Sequence, residues 1–327
     1  GRASVRRRPT RRSSPAHRWS AWMNPRLTWN LITDVQQVWA YPFMVTALRA
    51  GTVVAVVAGV VGWVMVLRKE SFAGHTLAVV GFPGAAAAAW LGVATGYGYF
   101  AACIGAAAVI ALLPAPTRAG GLGGLSEESA GIGTIQALAL ATGFLFVSLY
   151  HGFLSGLTSL LFGTIAGVSS QQLHVLLIAA LVCLIVLAAI GRPLLWASID
   201  PDAAAANGVP TRLVAALFLL VLGVAAAGAS QITGSLLVFA LLVAPPAAAF
   251  HLTARPAMGI AISVLIAVAV TWVGIGCAFY SPYPIGFWVS SFAFGIYLLA
   301  AGYRASVERT LRWIDRRHSP ARPAVAT

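Results

Sequence analysis

Between Phe43 and Tyr303 the chain reads as a succession of apolar stretches, at about 43–67, 72–93, 98–113, 131–150, 171–191, 213–229, 232–249, 257–280 and 284–303. Each comes near the roughly 20 residues that an α-helix needs to cross a hydrocarbon slab. The stretches are continuous and rich in Ala, Leu, Val and Gly, whereas barrel strands would alternate in short segments, so a barrel is rejected. The pattern predicts an all-α polytopic membrane helix bundle with about nine transmembrane helices. Residues 151–170, moderately apolar and broken by Gly and Ser, add a re-entrant helix or a tenth short span, and the bounds are eight to ten.

The polar ends divide differently. Residues 1–22 are rich in Arg, Pro and Ser without an apolar core, which predicts a disordered head and no signal peptide. Met23 opens a segment that runs on into the first span, so the biological start is expected at Met23 or close to it, a point that intact-mass measurement of the native protein decides. Residues 23–42, with Trp29, Trp39 and Tyr41, are too polar to span and are expected at the membrane interface. The transmembrane domain then covers 43–303, and 304–327 form a basic tail.

Composition agrees with this pattern. Hydrophobic residues make up 59% of the chain and charged residues 9%, against roughly 25% charged in soluble domains. The formal net charge of +13 would suggest nucleic acid if the basic residues shared a face, but they lie at the two ends and in short loops. Placed so, Arg68 and Lys69, Arg118, Arg192 and Arg212, Arg255, and Arg304 onward mark one side of the membrane as cytoplasmic. With nine spans the segment before Phe43 is outside. The Arg-rich head then breaks the rule, unless it is absent from the mature chain or a re-entrant element precedes Phe43. Cys103, Cys183 and Cys277 stand alone in apolar runs and imply neither a disulfide frame nor a zinc knuckle.

The acidic residues are Asp34, Glu70, Glu127, Glu128, Asp200, Asp202, Glu308 and Asp315, none in the middle of a predicted span. A carrier driven by protons or sodium ions usually keeps a carboxylate inside the membrane, so self-powered transport is disfavoured. A phosphate loop needs Gly-Lys-Ser/Thr, and Lys69 is the single lysine, which leaves nucleotide hydrolysis to a partner. The titratable group placed clearly within a span is His75, in Ser71-Phe72-Ala73-Gly74-His75-Thr76. Two readings stand for it: a packed histidine bonded to a neighbouring carbonyl, or a transition-metal ligand. Zinc sites take three or four ligands, and the position one helical turn on is Val79. His151 and His174 flank the stretch 151–170 and are weaker candidates, since loop histidines are commonly just solvated. The double proline Pro245-Pro246 ends a span and Arg255-Pro256 starts the next, which predicts a short separate helix on the cytoplasmic face between them.

Several motifs, in order, resemble the membrane subunit of bacterial zinc and manganese ABC importers, the ABC-3 permease family, from about Tyr41 to Tyr303. They are Tyr41-Pro42-Phe43-Met44, Leu67-Arg68-Lys69-Glu70-Ser71-Phe72-Ala73-Gly74 leading to His75, Leu161-Phe162-Gly163, and Ile199-Asp200-Pro201-Asp202-Ala203 with Gly208-Val209. The most specific is Thr233-Gly234-Ser235-Leu236-Leu237 through Leu241-Leu242-Val243-Ala244-Pro245-Pro246-Ala247-Ala248-Ala249. The resemblance implies a bundle of the metal and vitamin B12 importer type, in the bacterial plasma membrane. It further implies a homodimer that takes metal from an external solute-binding protein and is driven by two copies of a cytoplasmic ABC ATPase, which binds the ATP. It implies no permanently bound cofactor and no catalytic residue.

By the same resemblance a coupling helix maps to about Ala247–Pro256, with Ala247, Ala248, Phe250, His251 and Arg255 toward the ATPase. The chain departs from the family at the metal site. Many relatives carry Gly-Asp-x-x-x-His there, whereas this chain has His75 and Val79. The site is then completed by backbone carbonyls or Thr76, by His75 of a second copy, or serves another substrate. Imidazole without carboxylate favours zinc over manganese. The runner-up is a permease for a metal chelate or other bulky small molecule, of the vitamin B12 and siderophore importer type. A membrane-embedded hydrolase would need a nucleophile paired with a base, or paired aspartates, inside the slab, and the predicted spans contain no Asp. A non-transporting scaffold is left open by the sequence.

Overall fold

The computed structural model describes residues 31–112, 122–150, 168–234 and 238–318. Every regular element among those residues is a helix. A short helix α1 (Leu31–Ala40) precedes α2 (Pro42–Leu67), which opens with Tyr41 in extended backbone and a proline in its first turn, where the missing N–H has no intrahelical partner to lose. A turn at Arg68–Glu70 reverses the chain, with Lys69 at φ 61°, and α3 (Ser71–Trp90) and α4 (Thr95–Leu112) follow as a hairpin turned at Gly92. Then come α5 (Leu122–Leu149), α6 (Ser170–Ile199), the one-turn α7 (Pro201–Ala206), α8 (Thr211–Thr233), α9 (Val238–Leu252), α10 (Pro256–Tyr280) and α11 (Ile285–His318).

Among the described residues eight helices are long and apolar enough to cross a membrane, and α9, at 15 residues, is a ninth, shorter apolar helix. At 1.5 Å per residue α9 spans about 22 Å, less than the roughly 30 Å hydrocarbon core. The expected segment at 232–249 is thus present but shortened, because α8 runs on to Thr233 and Gly234, at φ 79°, breaks the backbone between them. The segment 151–167 lies outside the described residues, as do 1–30.

Local chemistry explains the ends. Ser169 caps α6 through a reciprocal box, its hydroxyl accepting from the Gln172 N–H at 3.2 Å while Gln172 accepts from the Ser169 N–H at 2.9 Å. Asp200 caps α7 by accepting from the Ala203 N–H at 2.9 Å. The apolar run predicted to stop at 191 continues as helix through Pro193 to Ile199.

One expectation is corrected. Pro245 and Pro246 do not end a span and no separate cytoplasmic helix follows, for α9 passes through both prolines to Leu252. Proline removes the N–H that would reach four residues back, so Pro246 releases the carbonyl of Leu242. That carbonyl lies where a Cβ at Gly62 of α2 would be. The bare glycine admits it, and the close approach of two backbones replaces the lost helical bond with packing.

Small residues set the other crossings in the same way. Gly84 of α3 and Gly98 of α4 each face the other's backbone carbonyl, and Gly59 faces the backbone of Val264 in α10. There the Ser263 hydroxyl donates to the Gly59 carbonyl at 2.8 Å. Helices α2, α3 and α8 form the interior, while α5 and α6 present most of their surface outward.

Candidate functional site

His75 sits in the second turn of α3, half-buried. Its ring meets Phe239, at the start of α9, edge to face with centroids 4.8 Å apart. Its Nδ1 is buried and has no hydrogen-bond partner. Buried polar atoms are nearly always paired, and an orphan costs about 1–3 kcal/mol, so this nitrogen calls for an explanation. Thr76 is fully buried, and its hydroxyl donates to Oε1 of Gln136 on α5 at 3.0 Å. Val79 is buried one turn further on. His75 thus turns toward α9 and Thr76 toward α5, and among the described residues no three His, Cys, Asp or Glu side chains form a metal-holding group.

The other histidines are not brought to His75. His174 is exposed in the second turn of α6, and Ser198 near the far end of that helix meets Arg68, seven residues before His75. The 24 residues between His174 and Ser198 measure about 36 Å, and His75 lies seven residues, about 10 Å, inward from the Arg68 level, so the two histidines stand about 25 Å apart along the bundle. His151 lies outside the described residues.

Near His75, Arg68 gathers three helices. Its guanidinium pairs with Oε1 of Glu70 at 2.7 Å, donates to the Ser198 hydroxyl at 3.4 Å, and lies 5.5 Å from the ring centre of Phe218 in α8. The pair is largely enclosed, at 13% and 19% side-chain exposure, which is where charged hydrogen bonds matter.

On the same face α9 meets α2, α10 and α11. Leu242 and Pro246 both touch Gly62, and Phe250 stacks on the next residue, Trp63, with centroids 5.1 Å apart. Leu242, Pro246 and Phe250 of α9 thus all meet the Gly62–Trp63 step of α2. Trp63 also faces Gly259 of α10, and Arg304 of α11 donates to the Phe250 carbonyl at 3.2 Å. The ring of His251 lies 5.5 Å from that of Tyr297.

This junction places the ends carrying Arg68, Arg255 and Arg304 at one face, the distribution expected of the cytoplasmic side. Of the residues expected to face an ATPase, Ala248 is wholly enclosed, Ala247, Phe250 and His251 are half-buried, and Arg255 is exposed as the cap of α10. The exposed surface is instead the bend at Leu252, Ala254, Arg255 and Met258.

The sequence pattern gave no weight to Gln136 or Phe239, whose apolar neighbours conceal them, nor to Arg49, exposed about two turns into α2. A polar amide inside an otherwise apolar run was the available signal for Gln136.

Comparison with known proteins gives a consistent picture. The family model described as the ABC 3 transport family matches residues 40–304. The manganese transport system membrane protein MntC of Halalkalibacterium halodurans is 30% identical over 226 residues, 69% of this chain and 75% of that protein. The chelated iron transport system membrane protein YfeC of Yersinia pestis is 29% identical over 244 residues, 75% of this chain and 80% of that one. Among solved structures, PsaBC from Streptococcus pneumoniae, in complex with Fab, aligns with a TM-score of 0.72 at 22% identity, covering 83% of this chain and 95% of that one. A metal-chelate type ABC transporter in an inward-facing conformation aligns at 0.60 and 19% identity, covering 77% and 86%.

Proposed function

Because the chain belongs to the ABC 3 transport family, we propose that it is the membrane-spanning permease of an ATP-driven importer for a divalent transition metal, with zinc ahead of manganese. The observation that carries the reading is the buried Nδ1 of His75, which has no hydrogen-bond partner. An imidazole nitrogen in the span suits zinc better than manganese, which prefers oxygen-rich acidic sites. The names of the relatives speak of manganese and chelated iron, and those cargoes belong to those proteins. A single protein nitrogen holds a metal only in passing, and that suits a path on which the ion must also leave.

The chain supplies the gate and not the power. A solute-binding protein delivers the metal outside, a second copy of the chain completes the pathway, and a cytoplasmic ABC ATPase docks at the bend from Leu252 to Met258, with Arg255 as its exposed charge. Closure of the ATPase pair pushes on this bend. Helix α9, whose far end carries Phe239 against His75, transmits the push to the metal path.

A second reading, a permease for a metal chelate, draws support from the buried valine at position 79, since a chelate brings its own ligands. One experiment separates the two. The permease and its ATPase are reconstituted with the binding protein, and ATP turnover is measured with zinc, manganese or an iron chelate. Zinc should stimulate most, and His75→Ala should cut that stimulation by at least about tenfold, the scale on which metal-site changes register. Stimulation by the chelate alone, unaffected by His75→Ala, would transfer the proposal to the second reading.

A further inference from the structure

We propose that the groove between α2, α6 and α10 seats one acyl chain of an anionic phospholipid from the cytoplasmic leaflet, with its headgroup on Arg192. The groove has a volume of about 310 Å³, and its walls are Val60 and Val64 of α2, Leu184 to Leu195 of α6, and Ile260 of α10. Val64 lies three residues from the end of α2, Leu195 four from the end of α6, and Ile260 four from the start of α10. All three walls are therefore the cytoplasmic ends of their helices. From Leu184 to Leu195 the groove runs about 16 Å at 1.5 Å per residue, the depth of one leaflet of a roughly 30 Å hydrocarbon core.

Shape and charge choose the occupant. The groove is apolar along that length, as a hydrocarbon chain requires. Arg192 follows Gly191, which lines the groove, and it is exposed. The residues four before and three after it, Ala188 and Leu195, also line the groove, so Arg192 flanks the lining stripe at its edge. No ion pair of Arg192 occurs among the described residues. The nearest carboxylate along the helix, Asp200, is eight residues on and caps α7. A basic position between membrane helices on the cytoplasmic side is what an anionic headgroup binds, and a long side chain reaches the interface while its stem stays on apolar surface.

The test uses the permease and ATPase complex in nanodiscs of mixed phosphatidylglycerol and phosphatidylcholine, followed by extraction and native mass spectrometry of retained lipid. Gly191→Leu fills the groove without collision, since nothing lies within 4 Å of a Cβ there. The wild-type complex should retain phosphatidylglycerol in preference, and Gly191→Leu should remove it. Arg192→Gln should keep lipid but lose roughly fivefold of the anionic preference, the factor expected for one arginine near a charged surface. Ala188→Leu gives an independent filling of the same space and should repeat the loss. Equal lipid retention in all four proteins would overturn the proposal. So would a change of permease stoichiometry in Gly191→Leu at constant lipid, which would make the groove an interface between copies.

Discussion

At the scale of single residues, the account rests on His75 and on the polar pair beside it. Thr76 and Gln136 are 60 positions apart, and their 3.0 Å hydrogen bond fixes α3 against α5 where both are otherwise apolar. Gln136→Leu should lower stability by about 1 kcal/mol, the usual worth of a polar contact between membrane helices, as measured by thermal unfolding of the complex. It should also weaken metal stimulation, because the Thr76 hydroxyl next to His75 loses its acceptor. No change in either readout would show that the pair is incidental. The sequence made His75 legible because a titratable group in an apolar run is conspicuous by itself. The rest of its surroundings was not legible, since Phe239 lies 164 positions away and reaches His75 only through the crossing of α9.

At the scale of elements, the informative helix is α9. Periodicity and the double proline suggested a span that stops and a new helix that starts. A proline lacks its N–H in either case, and whether the helix breaks depends on what receives the freed carbonyl. Gly62, on another helix, receives it, and no local pattern encodes that. A Cβ on Gly62 would displace the Leu242 carbonyl, so Gly62→Ala should destabilise the bundle by about 1–3 kcal/mol, as overpacking does. Gly276→Ala meets open space and should stay within about 0.5 kcal/mol. The pair is compared by detergent-solubilised thermal denaturation, and equal midpoints would refute the crossing as described. The eight long helices were legible for a simple reason. In lipid each must satisfy its own backbone hydrogen bonds, so each advertises itself as a continuous apolar run. The short α9 is the exception because neighbours share its backbone.

At the scale of the whole molecule, the basic ends of α2, α10 and α11 meet at one face, and the bend carrying Arg255 is the exposed edge of that junction. Arg255→Glu should reduce co-purification of the ATPase while leaving metal binding intact, and unchanged co-purification would move the docking surface elsewhere. The fold and the family were readable from spacing and motif order. The site was readable only at His75, because helix packing, and not sequence adjacency, assembles the remainder.

The central claim is that this bundle is a passive gate whose motion is borrowed from an ATPase. Accumulation of radiolabelled zinc in sealed proteoliposomes tests it most directly, with the permease reconstituted alone under a proton or sodium gradient, and with the ATPase and ATP. Uphill accumulation only in the second arrangement is the predicted result. Concentration of zinc by the permease alone would contradict the account.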